Sequence, residues 1–564
     1  LEQRSADLGK SSGIDTGIWA PLREATFRRI WCASLASNLG QQMQVVAATW
    51  TMLEITRQAD LVAMVQTASM LPIMLLAIAA GAIADMYDKR RVALGALALS
   101  LGGAALLAVL AATGTVTPVL ILASVFITGA GIALYSPAWQ ASAAEIVGSK
   151  ALPSAVALYS VSNNAARSVG PAIGGFLIAT AGIVAAFSVN ATFYLPIIIA
   201  LALWKREIVA PRLPPERLDR AMLAGMRFVN HSPPTRRVLV RSLFTSLGGA
   251  AIYSMLPLIA NGPLRGGPGT YGLLLGGFGL GAVSFALLTS KLRDRFSPER
   301  IMVICSVALG VTILVAAYSP YVVLTALAMI PAGGAWMVSI STCNVAIQLS
   351  SPRWVSGRTL AAFQAAVAGG LAVGSVIWGV VAEDFGVVPA VTIAGVYVVA
   401  TALLGSLLTI PNPVAAEAAP PTSSDPMVQM ALTGRSGPLV VEIEYRVQSG
   451  DARLFYHAMR DVRRSRERNG AFSTSLVRDI SDPELWVERF HYPTWNDYLR
   501  ARDRTTIDDR LWRDKALAYH VGDEAPKIRR YLERPTGSVR WREDTIDPGE
   551  TLPVPVNLTA LLPN

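Results

Sequence analysis

Apolar residues along this chain come in runs of about twenty, separated by short polar turns. That is the length an α-helix needs to cross about 30 Å of hydrocarbon. Twelve such runs fall at roughly 33–55, 61–82, 92–112, 117–140, 154–179, 182–203, 238–260, 270–289, 301–318, 321–345, 360–381 and 388–409. They predict an all-α polytopic membrane protein with 12 transmembrane helices, ending near residue 410. Residues 411–437, rich in Pro, Ala and Ser, read as a linker. From residue 438 to 535 the pattern inverts. "LVVEIEYRV" alternates like a strand, "DARLFYHAMRDVRRSRERNG" reads as a helix closed by Gly470, and "AFSTSLVRDI" and "ELWVERFHY" read as strands. "TWNDYLRARDRTTIDDRLWRDKALAYH" reads as one Thr-capped helix. The β-α-β-β-α order predicts a small cytoplasmic α+β domain of ferredoxin-like type, and residues 536–564 read as a flexible tail.

The apolar part repeats. "SVGPAIGG" (168–175) parallels "AVGSVIWG" (372–379), and Asp85 followed by Arg91 is echoed by Asp294 followed by Arg300. The spans therefore divide into six-helix halves, 1–204 and 238–410, joined by a cytoplasmic central loop, 205–237. Two halves in parallel orientation are a transporter design whose substrate site lies between them near mid-membrane.

Composition supports the membrane reading. Hydrophobic residues make up 52% and charged residues 16%, against about 25% charged in soluble domains. A net charge of +10 raises nucleic acid as a partner, but its distribution excludes that reading. The Lys and Arg residues gather in alternate loops, at Lys89–Arg91, Lys150, 205–241, 291–300 and Arg353–Arg358, while the other loops hold only Arg57 and Arg265. The positive-inside rule makes the basic face cytoplasmic, with both termini on it, as expected in a bacterial inner membrane. No cleavable signal peptide is expected from the polar first residues. Cys32, Cys305 and Cys343 have no metal spacing and read as packing residues, so neither a metal nor a cofactor is expected.

The densest charge cluster is "GAIADMYDKRR", at the turn between spans 2 and 3. Gly81 permits close helix approach. Asp85 can receive hydrogen bonds from the amides opening the next helix. Arg90 and Arg91 can pair across to Glu145, the one well-placed acid in the first half. The set reads as a conformational latch, with Lys89 as a loop anchor.

Gly81, Asp85, Arg90 and Arg91 resemble the loop motif of the major facilitator superfamily, Gly-x-x-x-Asp-Arg-x-Gly-x-Arg-Lys, with Met86 and Asp88 as departures. "VGPAIGG" resembles that superfamily's exporter motif Gly-Pro-x-x-Gly-Gly, carried here by Gly170, Pro171, Gly174 and Gly175. "SNLGQQMQ", "SPAWQASAAEIV", "NNAARSVGPAIGG" and "RFVNHSP" resemble the transmembrane secretion effectors, a branch that includes the enterobactin exporters. The tail, at "RRSRERNGAF" and "TWNDYLRARDR", is similar to dimeric α+β barrels of antibiotic-biosynthesis-monooxygenase type. The resemblance implies proton-driven export of a small amphipathic molecule such as a siderophore, drug or secondary metabolite. A tail that regulates or dimerises is expected rather than a catalytic one, since it carries no recognisable catalytic set.

Polar side chains inside spans are candidates for substrate or coupling sites. Arg167 lies roughly 20 Å into its helix at about 1.5 Å per residue, with Asn163 and Asn164 within one turn. Asn38, Gln41, Asn190, Asn344 and Gln364 are further amides, and Glu54 is the acid proposed as a partner for Arg167. Amides also simply join helices, at about 1 kcal/mol or less each. A membrane-tethered monooxygenase or an importer of the same fold are the rival readings. The tail's His457, His491, Trp495 and His520 form no recognisable catalytic set, and no Gly-x-x-x-x-Gly-Lys-[Ser/Thr] loop occurs, so neither an enzyme nor a primary pump is expected.

Overall fold

A computed structural model describes residues 19–204, 218–352, 355–410, 428–430, 432–522 and 524–533, without certain side chains inside helices, Asp85 among them. Helices α1 (Ala25–Thr56), α2 (Ala59–Met86), α3 (Lys89–Thr113) and α4 (Pro118–Leu203) come first. The amphipathic α5 (Leu218–His231) follows. Then come α6 (Pro233–Asn261), α7 (Pro268–Arg295), α8 (Pro298–Tyr318), α9 (Val322–Ser350), α10 (Ser356–Phe385) and α11 (Val387–Ala400). Local chemistry sets the ends. Asp88 caps α3 by accepting from the Arg91 amide at 2.8 Å, and Gly114 closes it at φ +69°. The departure from the superfamily pattern at position 88 is thus a helix cap.

Ten helical stretches among the described residues are long and apolar enough to cross a membrane. The expected twelve differ at two places. Helix α1 has the length but not the apolarity, because Asn38, Gln41, Gln42 and Gln44 sit in it. The stretch Val161–Leu203 covers the expected spans 5 and 6 together. Its 43 residues would be roughly 65 Å long if straight, about twice the hydrocarbon thickness. Gly182, at φ +82°, interrupts its helical path.

The described chain forms two compact units. The first comprises Leu1–Met222, Pro234–Ser351 and Ser356–Val414. Its core is single at one end and divided at the other. Near the turns at residues 57–58, 262–267 and 386, one continuous cluster runs from Val46 and Val62 through Ile178 to Met255, Leu274 and Trp378, drawing on both halves. At the opposite end Phe27, Ala93, Trp139 and Tyr194 form a cluster within the first half, and Val238, Met302, Ile347 and Phe363 form another within the second.

The second unit comprises Leu223–Pro233, Pro352–Val355 and Ala415–Asn564. Strands β1 (Leu439–Arg446), β2 (Phe472–Arg478), β3 (Leu485–Tyr492) and β4 (Lys527–Leu532) form an antiparallel sheet in the order β2-β3-β1-β4. Leu439, Val441, Ile443 and Tyr445 alternate inward against Phe455 and Val462 of α12 (Ala452–Arg468). The expected final helix is two, α13 (Trp495–Asp503) and α14 (Ile507–Leu517), because Thr506 and Asp509 form a capping box that starts a new helix. Strand β4 was not expected. Its sequence, KIRRYL, is exposed along most of its length and lacks an apolar face.

Candidate functional site

The two halves meet along two glycine-lined seams. A methyl group on Gly175 would lie 2.6 Å from the Pro268 carbonyl and 2.8 Å from Gly272 Cα, so α4 and α7 touch backbone to backbone. Ser168 Oγ donates to the Gly279 carbonyl at 2.7 Å on the same seam. On the other seam, a methyl on Gly379 would meet Ala63 Cβ at 2.6 Å, and Thr67 Oγ1 donates to the Ala372 carbonyl at 2.9 Å. Glu383 Oε2 accepts from the Ala59 amide at 2.7 Å, so α10 caps α2, whose own N-cap Gln58 supplies no side-chain bond. Trp50 stacks on Tyr271 at 6.4 Å. All these contacts lie on the side of the shared core. Towards the basic loops the apolar cores of the two halves are separate.

Arg167 lies on α4 one residue before Ser168 of the seam. Val169, Ile173 and Phe176 are 48%, 40% and 68% exposed and mark an apolar outer stripe. At about 100° per residue Arg167 lies roughly 160° round the helix from Val169, facing away from that stripe. It is nevertheless exposed, and it lies within electrostatic reach of Tyr253 on α6 of the other half. A guanidinium on an inward face of a membrane helix is a functional candidate.

The profile of the transmembrane secretion effectors matches residues 16–536. The chain belongs to the transmembrane secretion effector family. This effector is 24% identical over 362 residues to the staphyloferrin A transporter of Staphylococcus aureus, spanning 64% of this chain and 90% of that relative. It is 26% identical over 348 residues to the multidrug efflux pump Tap of Mycolicibacterium fortuitum, spanning 58% and 82%. Its fold is similar to that of the nucleoside transporter NupG (TM-score 0.56, 13% identity, 68% of this chain and 100% of that one). It is also similar to a D-xylose-proton symporter (TM-score 0.56, 14% identity, 68% and 98%). The effector is therefore a multi-pass membrane transporter of the major facilitator type.

In the effector's charge cluster the partners differ from those expected. Lys89, read as a mere anchor, pairs with Glu145 at 2.7 Å. Arg90 instead donates to the carbonyls of Leu201 (2.9 Å) and Ala202, closing the end of α4. Lys89 opens α3 one residue ahead of Arg90, and at about 100° per residue the two side chains point apart. Arg91 is exposed. Gly81 makes no close approach, since a methyl there meets nothing within 4 Å among the described residues. The Asp85 side chain lies outside the described residues.

The exporter motif splits its work. Gly170 and Gly174 press on α1, where a methyl would lie 2.7 Å from Gln42 Cβ and 3.0 Å from Met43 Cα, while Gly175 faces α7. Pro171 is buried beside them, and its carbonyl would meet a methyl on Gly272 at 3.1 Å.

Of the amides, Asn38 bonds Ser162 at 3.2 Å, Asn163 bonds its own Tyr159 carbonyl at 3.0 Å, and Asn344 accepts from Gln348. These are helix-joining or local bonds. Asn190, fully buried, donates to Gln44 at 2.8 Å, and Gln44 donates to Thr128 at 3.2 Å, which ties three segments of the first half together. Gln41 lines a gap of about 10 Å³ beside Gln44 and Ser69, the smallest space that holds a water. Asn164 is half-buried and Gln364 exposed. Glu54 accepts from its own Trp50 at 2.7 Å at the far end of α1, and no described carboxylate pairs with Arg167. A partnership between Glu54 and Arg167 is thereby removed.

The sequence did not reveal Tyr253, Gly272, Gly279 and Glu383. Gly272 and Gly279 sit in "YGLLLGGFGLG", whose glycine spacing is a legible packing signal. Glu383 carries no such signal. Its role depends on a helix start more than three hundred residues away.

Proposed function

We propose that this protein exports a small amphipathic molecule by alternating access, and that the conformation described is the inward-facing one. The observation that carries the reading is the division of the core. It is shared by both halves at one end and separate at the other, as a rocking pair of rigid bodies would have it. The basic loops at the open end favour a cytoplasmic cleft, with both termini on that side. The polar α1 and the division of Val161–Leu203 at Gly182 support a total of twelve spans. Export is favoured by relatives named as a staphyloferrin A transporter and a multidrug efflux pump. Proton coupling accords with the symporter fold. Arg167 and Tyr253 would line the substrate path, the guanidinium suiting an anionic or phenolate group. The β2-β3-β1-β4 order accords with a ferredoxin-like domain that regulates or dimerises.

The test is efflux of a fluorescent amphipathic anion from proteoliposomes with and without a proton gradient. Gradient-dependent movement from the cytoplasmic face outward is expected. Uptake in the opposite sense would replace export with import.

A further inference from the structure

The last turns of α5, the helix of the central loop, are built into the C-terminal unit. Phe228 is 1% exposed, and its ring lies 5.6 Å from the Arg468 guanidinium, which also lies 5.4 Å from the Trp512 ring. Arg468 is fixed in turn: it donates to Asp509 at 2.5 Å and to Thr506 at 3.4 Å. Three residues beyond Phe228, on the same helix face, His231 Nε2 lies 3.5 Å from Glu467 Oε2. The other ring nitrogen of His231 lies 2.9 Å from the Arg227 carbonyl. Glu467 also accepts from Arg463 and Thr474, both at 2.8 Å. A methyl on Gly470, at the end of α12, would come 3.4 Å from Arg227.

We propose that the C-terminal domain is the docking partner of the central loop, and that by holding α5 it fixes the start of α6, the first helix of the second half. Only Ser232 separates α5 from α6, and it is 3% exposed. A one-residue joint spans about 3.5 Å at most, so a hold on residues 228–231 is a hold on the entry to α6. The chain leaving α11 leads into the same domain. The docking stands by itself, and its effect on transport rests on the alternating-access reading.

Hydrogen exchange on the full chain in lipid nanodiscs tests the docking. Amides 225–231 should exchange as slowly as the domain does. Phe228→Ala should speed them at least tenfold while β1 and β3 keep their protection, and Phe228→Tyr, which keeps the ring, should restore it. Trp512→Ala should act from the domain side, and the double variant should add nothing to either single change. If amides 225–231 exchange as fast in the wild type as in Phe228→Ala, the docking is overturned. In the efflux assay, Phe228→Ala should slow turnover severalfold with unchanged apparent affinity, and Phe228→Tyr should not. Lost protection with unchanged turnover would overturn the coupling. Absence of efflux in the wild type would instead count against the export reading and leave the exchange result to decide the docking.

Discussion

Gly175→Ala should loosen the seam between α4 and α7. The three atoms nearest the new methyl all belong to backbone: Pro268 O at 2.6 Å, Gly272 Cα at 2.8 Å and Gly272 N at 3.0 Å. None can rotate away, so the helices must part by up to about 1 Å to restore ordinary carbon contact distances. Such overpacking costs about 1–3 kcal/mol. Alanine also favours the helix by about 1 kcal/mol over glycine, but it does so in both conformations and cancels between them. The seam penalty falls only on the form in which the seam is closed. The equilibrium should therefore move towards the opposite conformation by roughly 5- to 150-fold. A protein that is about 99% sealed would become roughly 95% to 40% sealed. Spin labels on Thr115 and Tyr321, exposed turns of the two halves at the sealed end, would report the change as a second, longer distance, after replacement of the exposed Cys32. Gly102→Ala is the control, because a methyl there meets nothing within 4 Å among the described residues. An unchanged distance distribution in Gly175→Ala, or the same change in Gly102→Ala, would refute the reasoning.

Arg167→Ala should lose nearly all efflux while Arg167→Lys, which keeps the charge but not the planar fork, retains part; full export by the alanine variant would remove Arg167 from the substrate path. Asp85→Asn should cut transport strongly at normal membrane insertion, and wild-type efflux rates would count against its part in a latch. Glu383→Gln should weaken the cap on α2 by turning a charge-assisted bond into a neutral one, which the same spin labels would read as more frequent opening; no change would mean the cap is incidental. The C-terminal domain should fail in acid. Burial would raise the Glu467 and Asp509 carboxyls, but Arg463, Thr474 and His231 for the first, and Arg468, Ser465 and Thr506 for the second, hold both below ordinary values. Their stabilisation is complete above the unfolded carboxylate range of about 4 and is lost as pH falls through the depressed values. Exchange protection of β1 that rose between pH 7 and pH 3 would contradict this.

The sequence was most legible where one physical constraint dominates. Bilayer thickness sets run length, so most spans were readable; α1 was the marginal case because its amides lower its apolarity while packing supplies their partners, as with Asn190 and Gln44. Gly175 was legible as a close-packing position because small-residue spacing is local. Pairings across the fold were not. Both Lys89 and Arg90 are basic residues at a helix start, and only geometry assigns one to Glu145 and the other to the end of α4. The docking of Phe228 joins segments more than two hundred residues apart, and no periodicity announces it.

The Ser168 hydroxyl has two acceptors, the Gly279 carbonyl across the seam at 2.7 Å and the Asn164 carbonyl of its own helix at 2.8 Å. If the halves separate as alternating access requires, the proton keeps a home on its own helix, and the abandoned carbonyl can still accept its own helix bond. No donor is stranded in a medium that offers no water to receive it. A carboxylate–guanidinium bridge at the same place would have to be torn apart in low dielectric at every turnover. This joint can disengage with its own hydrogen-bonding ledger nearly unchanged, which leaves the resistance at this seam to shape and dispersion, while Glu383 and Thr67 hold the other seam.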